Sequence, residues 1–473
     1  MRSHRVTTIG AGYVGLVTAV GLARLGHDVD LVEIDPERRR VLASGEVPIH
    51  EPGLTDAFAE ALRAGRLRVT DRPEPTAKML LVCVGTPIDQ DGRSDLKQLD
   101  SAVRGIAERV PDATLVIRST LPPGTTRLAL EWSGLAASQV FINPEFLRQG
   151  SALEDFLHPS RIVIGRFPDA HPDRLRDVRA LYDGIDAPRL EVDVAAAELI
   201  KNAANAFLAL KLSFVNEVAT LCEEYGAEVG DVLNGLAQDP RIGGTYMRPS
   251  FGFGGSCLPK ELRALAAAGV ARGLPMHVTT AGSSANSASQ QRFAGRIAAV
   301  LDGLQGRTIA LLGLAFKSNT DDVRDSPAID LAAALLASGA TVRAFDPKAA
   351  SKAARALPSL EIVDDAGAAI DGADAVVIAT EWPEFADLDW ARLGSTMRRR
   401  LIVDGKRLLD PGRMRDLGFE YLAVGSPSVA SAGIPGPDRP EPGRAGTQRR
   451  ATVMQTSTAA TRTQGTPVGP GRG

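Results

Sequence analysis

Two stretches of this chain repeat one hydrophobic pattern, and a long helical stretch separates them. The first forty residues run from "RVTTIG", short and β-branched, through "AGYVGLVTAVGLARLG", which has helical apolar spacing and a glycine stop, to "DVDLVEID". That order predicts strand, glycine turn, helix, strand. The layout returns in "RTIALLGLAFKSNTDD" and "SPAIDLAAALLASGATVRAFDP", where Gly339 ends the helix and "VRAFDP" parallels "LVEIDP". Apolar runs at "KMLLVCVGTP", "TLVIRST", "AVVIATEW" and "RLIVDGK" extend the pattern to two parallel sheets.

The middle differs. "VAAAELIKNAANAFLALKLSFVNEVATLCEEYG" has helix formers at every turn, no proline and no internal glycine. Its apolar residues cover much of the circumference, so burial between domains or at a subunit contact is expected. From about Ser426 onward Pro, Gly, Ser and Thr dominate, which predicts a disordered tail. The expected fold class is α/β, two Rossmann-like parallel-sheet domains joined by a long central helix and a small helical dimerisation domain. The expected boundaries are 1–193, 194–298 and 299–425, then the tail at 426–473.

At 473 residues the chain is too long for one ordinary core. A net charge of -3 gives no global reason to expect nucleic acid or an anionic membrane as partner. No apolar run reaches the roughly 18 residues needed to span a bilayer, and "MRSHRVTTIGAGYVG" enters a domain almost at once, so no signal peptide is expected. Three cysteines cannot build a disulfide framework, and neither they nor the six histidines show zinc spacing. A cytoplasmic, reducing setting is expected, and no metal.

Gly10, Gly12 and Gly15, with Tyr13 and Val14 between, match GxGxxG. A lone match is weak. Here it follows a strand and opens a helix, and Glu33 ends the next strand about 20 residues on, as a dinucleotide site requires. The glycines let the backbone close on a pyrophosphate. Glu33 would bind the adenosine ribose and repel a 2′-phosphate, favouring NAD, although Arg38 is near enough to complicate that preference. In the second half "GLAFK" puts Phe316 and Lys317 where the later glycines would be. A nucleotide could be met there by side chains; a degenerate duplicate kept for packing is the alternative.

Cys257 lies in "SFGFGGSCLPKE", flanked by Gly254 and Gly255. A thiolate beside a nicotinamide could capture an aldehyde and carry it to a thioester; an incidental loop cysteine is the bland alternative. The flanking glycines would let a ligand approach. Lys201 and Asn205 share one helix face at i,i+4. Most helical lysines are solvated, but one in an alanine-rich apolar helix needs a buried anion or a polar cavity. Glu145, beside a proline in a loop, could activate water, or lie on the surface.

These pieces resemble the UDP-glucose/GDP-mannose dehydrogenase family. The resemblance rests on "GAGYVGL", "VPIHEPGL", "CVGTP", "STLPPGT", "NPEFLRQGSALEDFLHPSRIVIG", "DPRIGGTY", "SFGFGGSCLPKE", "GLAFKSNTDDVRDSP" and "ATEWPEF", with the helical middle, across roughly residues 5–410. It implies two NAD-dependent oxidations of a nucleotide-sugar C6 alcohol to a carboxylate, UDP-glucose favoured over GDP-mannose or a UDP-N-acetylhexosamine, in a homodimer or larger homo-oligomer. By position it implies Cys257 as nucleophile, Lys201 and Asn205 at the C6 oxyanion, and Glu145 in proton transfer and thioester hydrolysis. Thr120 would position water and cofactor, with Glu261 beside the thiol. NAD would further meet Glu33, Arg38, Thr86, Gln149, Lys260 and Arg324. The nucleotide-sugar would meet Phe146, Leu147, Tyr246, Ser250, Gly254, Phe316, Lys317 and Lys406, and Arg241 would reach it across a dimer interface. Three positions depart from the family's pattern: Glu261 for Asp, Gln149 for Glu and Lys406 for Arg. Lysine cannot repeat a bidentate contact.

Overall fold

The computed structural model describes residues 3–89 and 91–426; residues 427–473, nearly all of the expected tail, lie outside them. Two parallel sheets carry the molecule. The first contains β1 (Arg5–Ile9), β2 (Asp28–Val32), β3 (Leu67–Thr70), β4 (Met79–Val82), β5 (Thr114–Ile117), β6 (Val140–Ile142), β7 (Ile162–Arg166) and β8 (Arg189–Asp193), in the order β3-β2-β1-β4-β5-β6-β7-β8. Only β6 and β7 run antiparallel in it, pairing Phe141 with Arg166. The second contains β9 (Thr308–Leu312), β10 (Thr341–Phe345), β11 (Glu361–Ile362), β12 (Ala375–Ile378), β13 (Leu401–Asp404) and β14 (Glu420–Ala423), in the order β11-β10-β9-β12-β13-β14. Strands β4, β5, β12 and β13 are buried along their whole length, because helices cover both faces of each sheet.

In each sheet the strand order reverses beside the first strand, between β1 and β4 and between β9 and β12. Ligands of open α/β sheets bind at such switch points, outside the carboxyl ends of the strands. The two differ in what the turn leaves free. After β9, the N–H groups of Leu314 and Ala315 already donate to Asp346 Oδ2, at 2.7 and 2.9 Å. That buried carboxylate also accepts from Lys348, Ala349 and the Trp382 indole. The second turn therefore has two of its backbone donors spent internally, which leaves more of any ligand contact there to side chains.

The helix Val194–Tyr225 joins the halves, about 48 Å long at 1.5 Å per residue. Asp193 caps its start by accepting from Ala195 and Ala196, and Gly226, at φ 71°, ends it. Its first half packs on β7 and β8. Near its end Glu223 accepts from Gly425 N at 2.8 Å and pairs with Arg292 and Arg296 of the helix His277–Val300. The apolar circumference has a plain cause: Ala197, Ala206, Ala209 and Val215 are buried, while Leu199, Phe207, Phe214 and Leu221 form an open stripe at spacings of seven to eight.

Candidate active site

The glycine turn after β1 is built for close approach. A Cβ at Gly15 would sit 1.8 Å from the Gly10 carbonyl oxygen, so the helix Tyr13–Arg24 can lie this near the turn only without one. Gly12 is the opposite: a Cβ there meets nothing within 4 Å, at an ordinary φ of -71°. That open space in front of a helix N-terminus fits a pyrophosphate. Alanine at Gly12 should leave the melting temperature unchanged and weaken NAD binding at least about tenfold, as read by titration.

Glu33 is mostly buried at the end of β2, accepting from Asp35 N at 3.0 Å and lying 3.5 Å from Arg38. Arg38 folds back on the turn, donating to the Ala11 carbonyl at 2.8 Å. Beside them Ile34 is 82% exposed, an apolar platform that motif reading passed over. Tyr13 donates to Glu51, which also accepts from Gly150 N and Ala152 N at 2.7 Å each. Burial and that carboxylate push the Tyr13 phenol up. Glu51 thus ties the glycine helix to the loop that carries Glu145. Glu51 lies in "VPIHEPGL", where no local pattern marks it for such a role. Val14 is half-buried beside Tyr13.

The loop after β6 turns Glu145 inward, 3.1 Å from the Lys201 ammonium, with the two side chains 6% and 4% exposed. This is the anion that a lysine in that helix required. Glu145 also accepts from Leu147 N at 2.7 Å, and Thr120 Oγ1 lies 3.5 Å away. Burial would raise its pKa, but Lys201, the Leu147 N–H and Arg118 outweigh that and hold the carboxyl below its usual range. Burial would lower Lys201, but Glu145, Cys257 and Glu261 raise it instead. Arg118 is buried among Thr18, Asn143 and Tyr182, all neutral, so its charge adds to this field. Asn205 lies one turn beyond Lys201, and Phe146 lies between Arg161, at 3.8 Å, and Lys201, at 5.4 Å.

Cys257 stands as the N-cap residue of the helix Leu258–Val270. It opens to the cleft, yet enough protein surrounds it that burial pushes the thiol up; Lys201 pulls it down and Glu145 pushes up again. Glu261, one turn into that helix and buried, is raised by burial and lies 3.4 Å from Lys260. Lys260 reaches Thr86 Oγ1 at 3.0 Å, and Thr86 donates to the Thr120 carbonyl at 2.8 Å, which links the thiol helix to the NAD cleft.

The glycines beside the thiol are needed for packing. A Cβ at Gly254 would lie 2.0 Å from the Asp325 carbonyl oxygen, and one at Gly255 would lie 2.6 Å from the Phe316 ring. The absent side chains make room for the loop after β9, a packing role that the sequence did not suggest. Alanine at Gly254 should therefore cost about 1–3 kcal/mol of stability, the reverse of Gly12, in a denaturant melt.

The other wall comes from the second sheet. Phe316 packs on Gly255, Lys317 sits 5.7 Å from the Phe316 ring with its pKa lowered by burial, and Arg324 pairs with Asp322 at 2.6 Å. Lys406 lies 3.4 Å from Glu381 and 5.6 Å from the Phe251 ring, so its charge has a protein partner that sequence reading did not identify. Ser250 is held by Asn216, and Tyr246 adopts a left-handed φ of 60°. Arg241 stands apart, 87% exposed and paired with Asp239.

Three successive parts of the chain match models of one known family. Residues 4–186 match the NAD binding domain, 195–288 the central domain and 310–411 the UDP binding domain of the UDP-glucose/GDP-mannose dehydrogenase family. The chain is 41% identical over 439 residues to a UDP-glucose 6-dehydrogenase of Rhizobium meliloti, covering 89% of this chain and all of that one. Its fold resembles a UDP-glucose dehydrogenase from Pyrobaculum islandicum, with a TM-score of 0.81, 37% identity and coverage of 90% and 98%. It also resembles a UDP-D-ManNAc dehydrogenase from Pyrococcus horikoshii, with a TM-score of 0.78, 29% identity and coverage of 89% and 99%. Among the described residues no helix is long and apolar enough to cross a membrane. The chain is an NAD-binding nucleotide-sugar dehydrogenase and belongs to the UDP-glucose/GDP-mannose dehydrogenase family.

Proposed function

We propose that the protein oxidises the C6 alcohol of UDP-glucose to the carboxylate of UDP-glucuronate, releasing four electrons in two steps. The observation that carries this reading is the buried Lys201–Glu145 pair beside an open thiol at the mouth of the NAD cleft. Bound NAD supplies the hydride acceptor for each oxidation. In the first oxidation the C6 hydroxyl gives up its proton to Glu145, which passes it to solvent, and Lys201, with Asn205, stabilises the oxyanion that forms at C6. The Cys257 thiolate adds to the aldehyde carbon, and loss of a hydride from that adduct leaves a thioester on Sγ. Glu145, kept ionised by Lys201, takes a proton from water as it attacks the thioester, which frees the acid and restores the thiol. Thr120, close to Glu145, positions that water.

UDP-glucose is favoured because the relatives named for it align over nearly their whole length. A UDP-N-acetylhexosamine is the second reading, motivated by the fold shared with the UDP-D-ManNAc dehydrogenase. Purified protein, NAD and a limiting amount of each sugar decide: two NADH per UDP-glucose is the expected count. Two from another sugar would move the substrate, and none from any would leave a silent nucleotide-binding protein.

The stripe Leu199, Phe207, Phe214 and Leu221 is best covered by a second copy of the chain, which would also bring the outlying Arg241 near a partner's cleft. Phe207→Asp with Phe214→Asp should sediment as a monomer while the wild type sediments as a dimer or larger; a monomeric wild type rejects this. The unpaired thiols suit the reducing cytoplasm expected from the sequence.

A further inference from the structure

Gln149 sits where three segments meet. It follows the loop that carries Glu145, and its side chain faces Ser256 of the thiol loop and both Thr320 and Asp322 of the loop after β9. Its Nε2 lies 3.0 Å from Asp322 Oδ2 and 3.4 Å from Ser256 Oγ, and its Oε1 accepts from Thr320 Oγ1 at 3.2 Å. The amide can point only this way, since reversal would set its oxygen against the Asp322 carboxylate. Both of its N–H donors and its oxygen are then engaged by protein. Ser256 Oγ lies 3.7 Å from Cys257 Sγ, and Asp322 holds the Arg324 guanidinium at 2.6 to 3.1 Å. One chain of hydrogen bonds thus runs from Arg324 through Asp322, Gln149 and Ser256 to the thiol.

A serine hydroxyl has one hydrogen. Accepting from Gln149 leaves that hydrogen for another acceptor, and the sulfur is the neighbour. We infer that Gln149 is a positioning residue: it holds the Ser256 hydroxyl as a donor to the Cys257 thiolate and so couples thiol reactivity to the docking of the loop after β9. A glutamate at this position could not do this. Its carboxylate would accept the Ser256 hydrogen, turning it from the sulfur, and would face the Asp322 charge. The departure from the family's pattern is matched to Asp322 and works on the thiol. This inference rests on the reading of Cys257 as nucleophile.

The test is alkylation of Cys257 by iodoacetamide across a pH series in the full, ligand-free chain. Cys83 and Cys222 are buried, and Cys257→Ser supplies the blank. The titratable and charged groups around the thiol, Lys201, Glu145, Glu261, Lys317, Arg324, Tyr13 and Tyr246, are unchanged in every variant. Gln149→Glu should raise the thiol midpoint by about one pH unit, making alkylation near neutral pH about tenfold slower. Gln149→Ala and Ser256→Ala should each slow it about threefold, and the double variant should be no slower than either alone, because they remove one interaction. Superimposable profiles, or effects that multiply in the double variant, would overturn the proposal. If Gln149→Glu does not fold, the two alanine variants decide. Alkylation needs no substrate, so this result stands apart from the NADH count that tests the function.

Discussion

Serine at Cys257 is expected to end acid formation, lowering its rate by about 10⁴-fold or more, while NAD binding and the fold persist. A serine hydroxyl at neutral pH is not ionised by a neighbouring lysine and adds to an aldehyde far less well than a thiolate. Cys257 opens to the cleft and its side chain fills no core position, so the melting point should stay within the range of a surface change, about 0.5 kcal/mol. NADH per UDP-glucose should fall from two to at most one. Full two-NADH turnover in the serine variant would show that the thiol is incidental and that both oxidations proceed without a covalent intermediate on Cys257.

Methionine at Lys201 should damage both activity and stability. Loss of a charge that stabilises an oxyanion lowers kcat by about 10²- to 10³-fold. Glu145 is left buried without its cation, and breaking such a pair costs about 3–5 kcal/mol. The pH dependence identifies the cause. In the native protein Lys201 helps hold the Glu145 carboxyl below its ordinary value, so the pair contributes stability above the unfolded carboxylate pKa, and this is lost as pH falls through the lower folded one. In the variant burial acts with less opposition, and the folded state binds that proton more tightly. The stability gap between native protein and variant should therefore be small near pH 4 and widen as pH rises towards 8 in urea melts. A gap independent of pH would mean that the lysine matters through packing alone. Adding Glu145→Gln to Lys201→Met should recover most of the stability and none of the activity.

How much of this was legible beforehand depends on whether a residue acts through its neighbours in the chain or through space. The strand, glycine turn and helix that open the chain are written in local pattern, because a period of two and a period of 3.6 are properties of consecutive residues. Glu33 follows from the same logic, since its distance from the glycines is set by one helix and one strand. The i,i+4 spacing of Lys201 and Asn205 is equally local. The carboxylate at Lys201 could be anticipated as a need but not located, because Glu145 comes from a loop 56 positions earlier and only the sheet brings it there.

Composition and pattern alone determined the α/β class, the two strand-turn-helix halves, the long helix between them and the dinucleotide turn. Those features rest on short-range sterics and on apolar periodicity, which any reader of consecutive residues can apply. Tertiary structure alone decided what the glycines beside Cys257 accommodate, why the second turn has two of its backbone donors spent on Asp346, which way Gln149 points and which charges face the thiol. Each of these depends on atoms from segments tens to hundreds of residues apart coming within about 2–4 Å. At that range steric exclusion and a single hydrogen bond choose between arrangements that the linear order leaves equivalent.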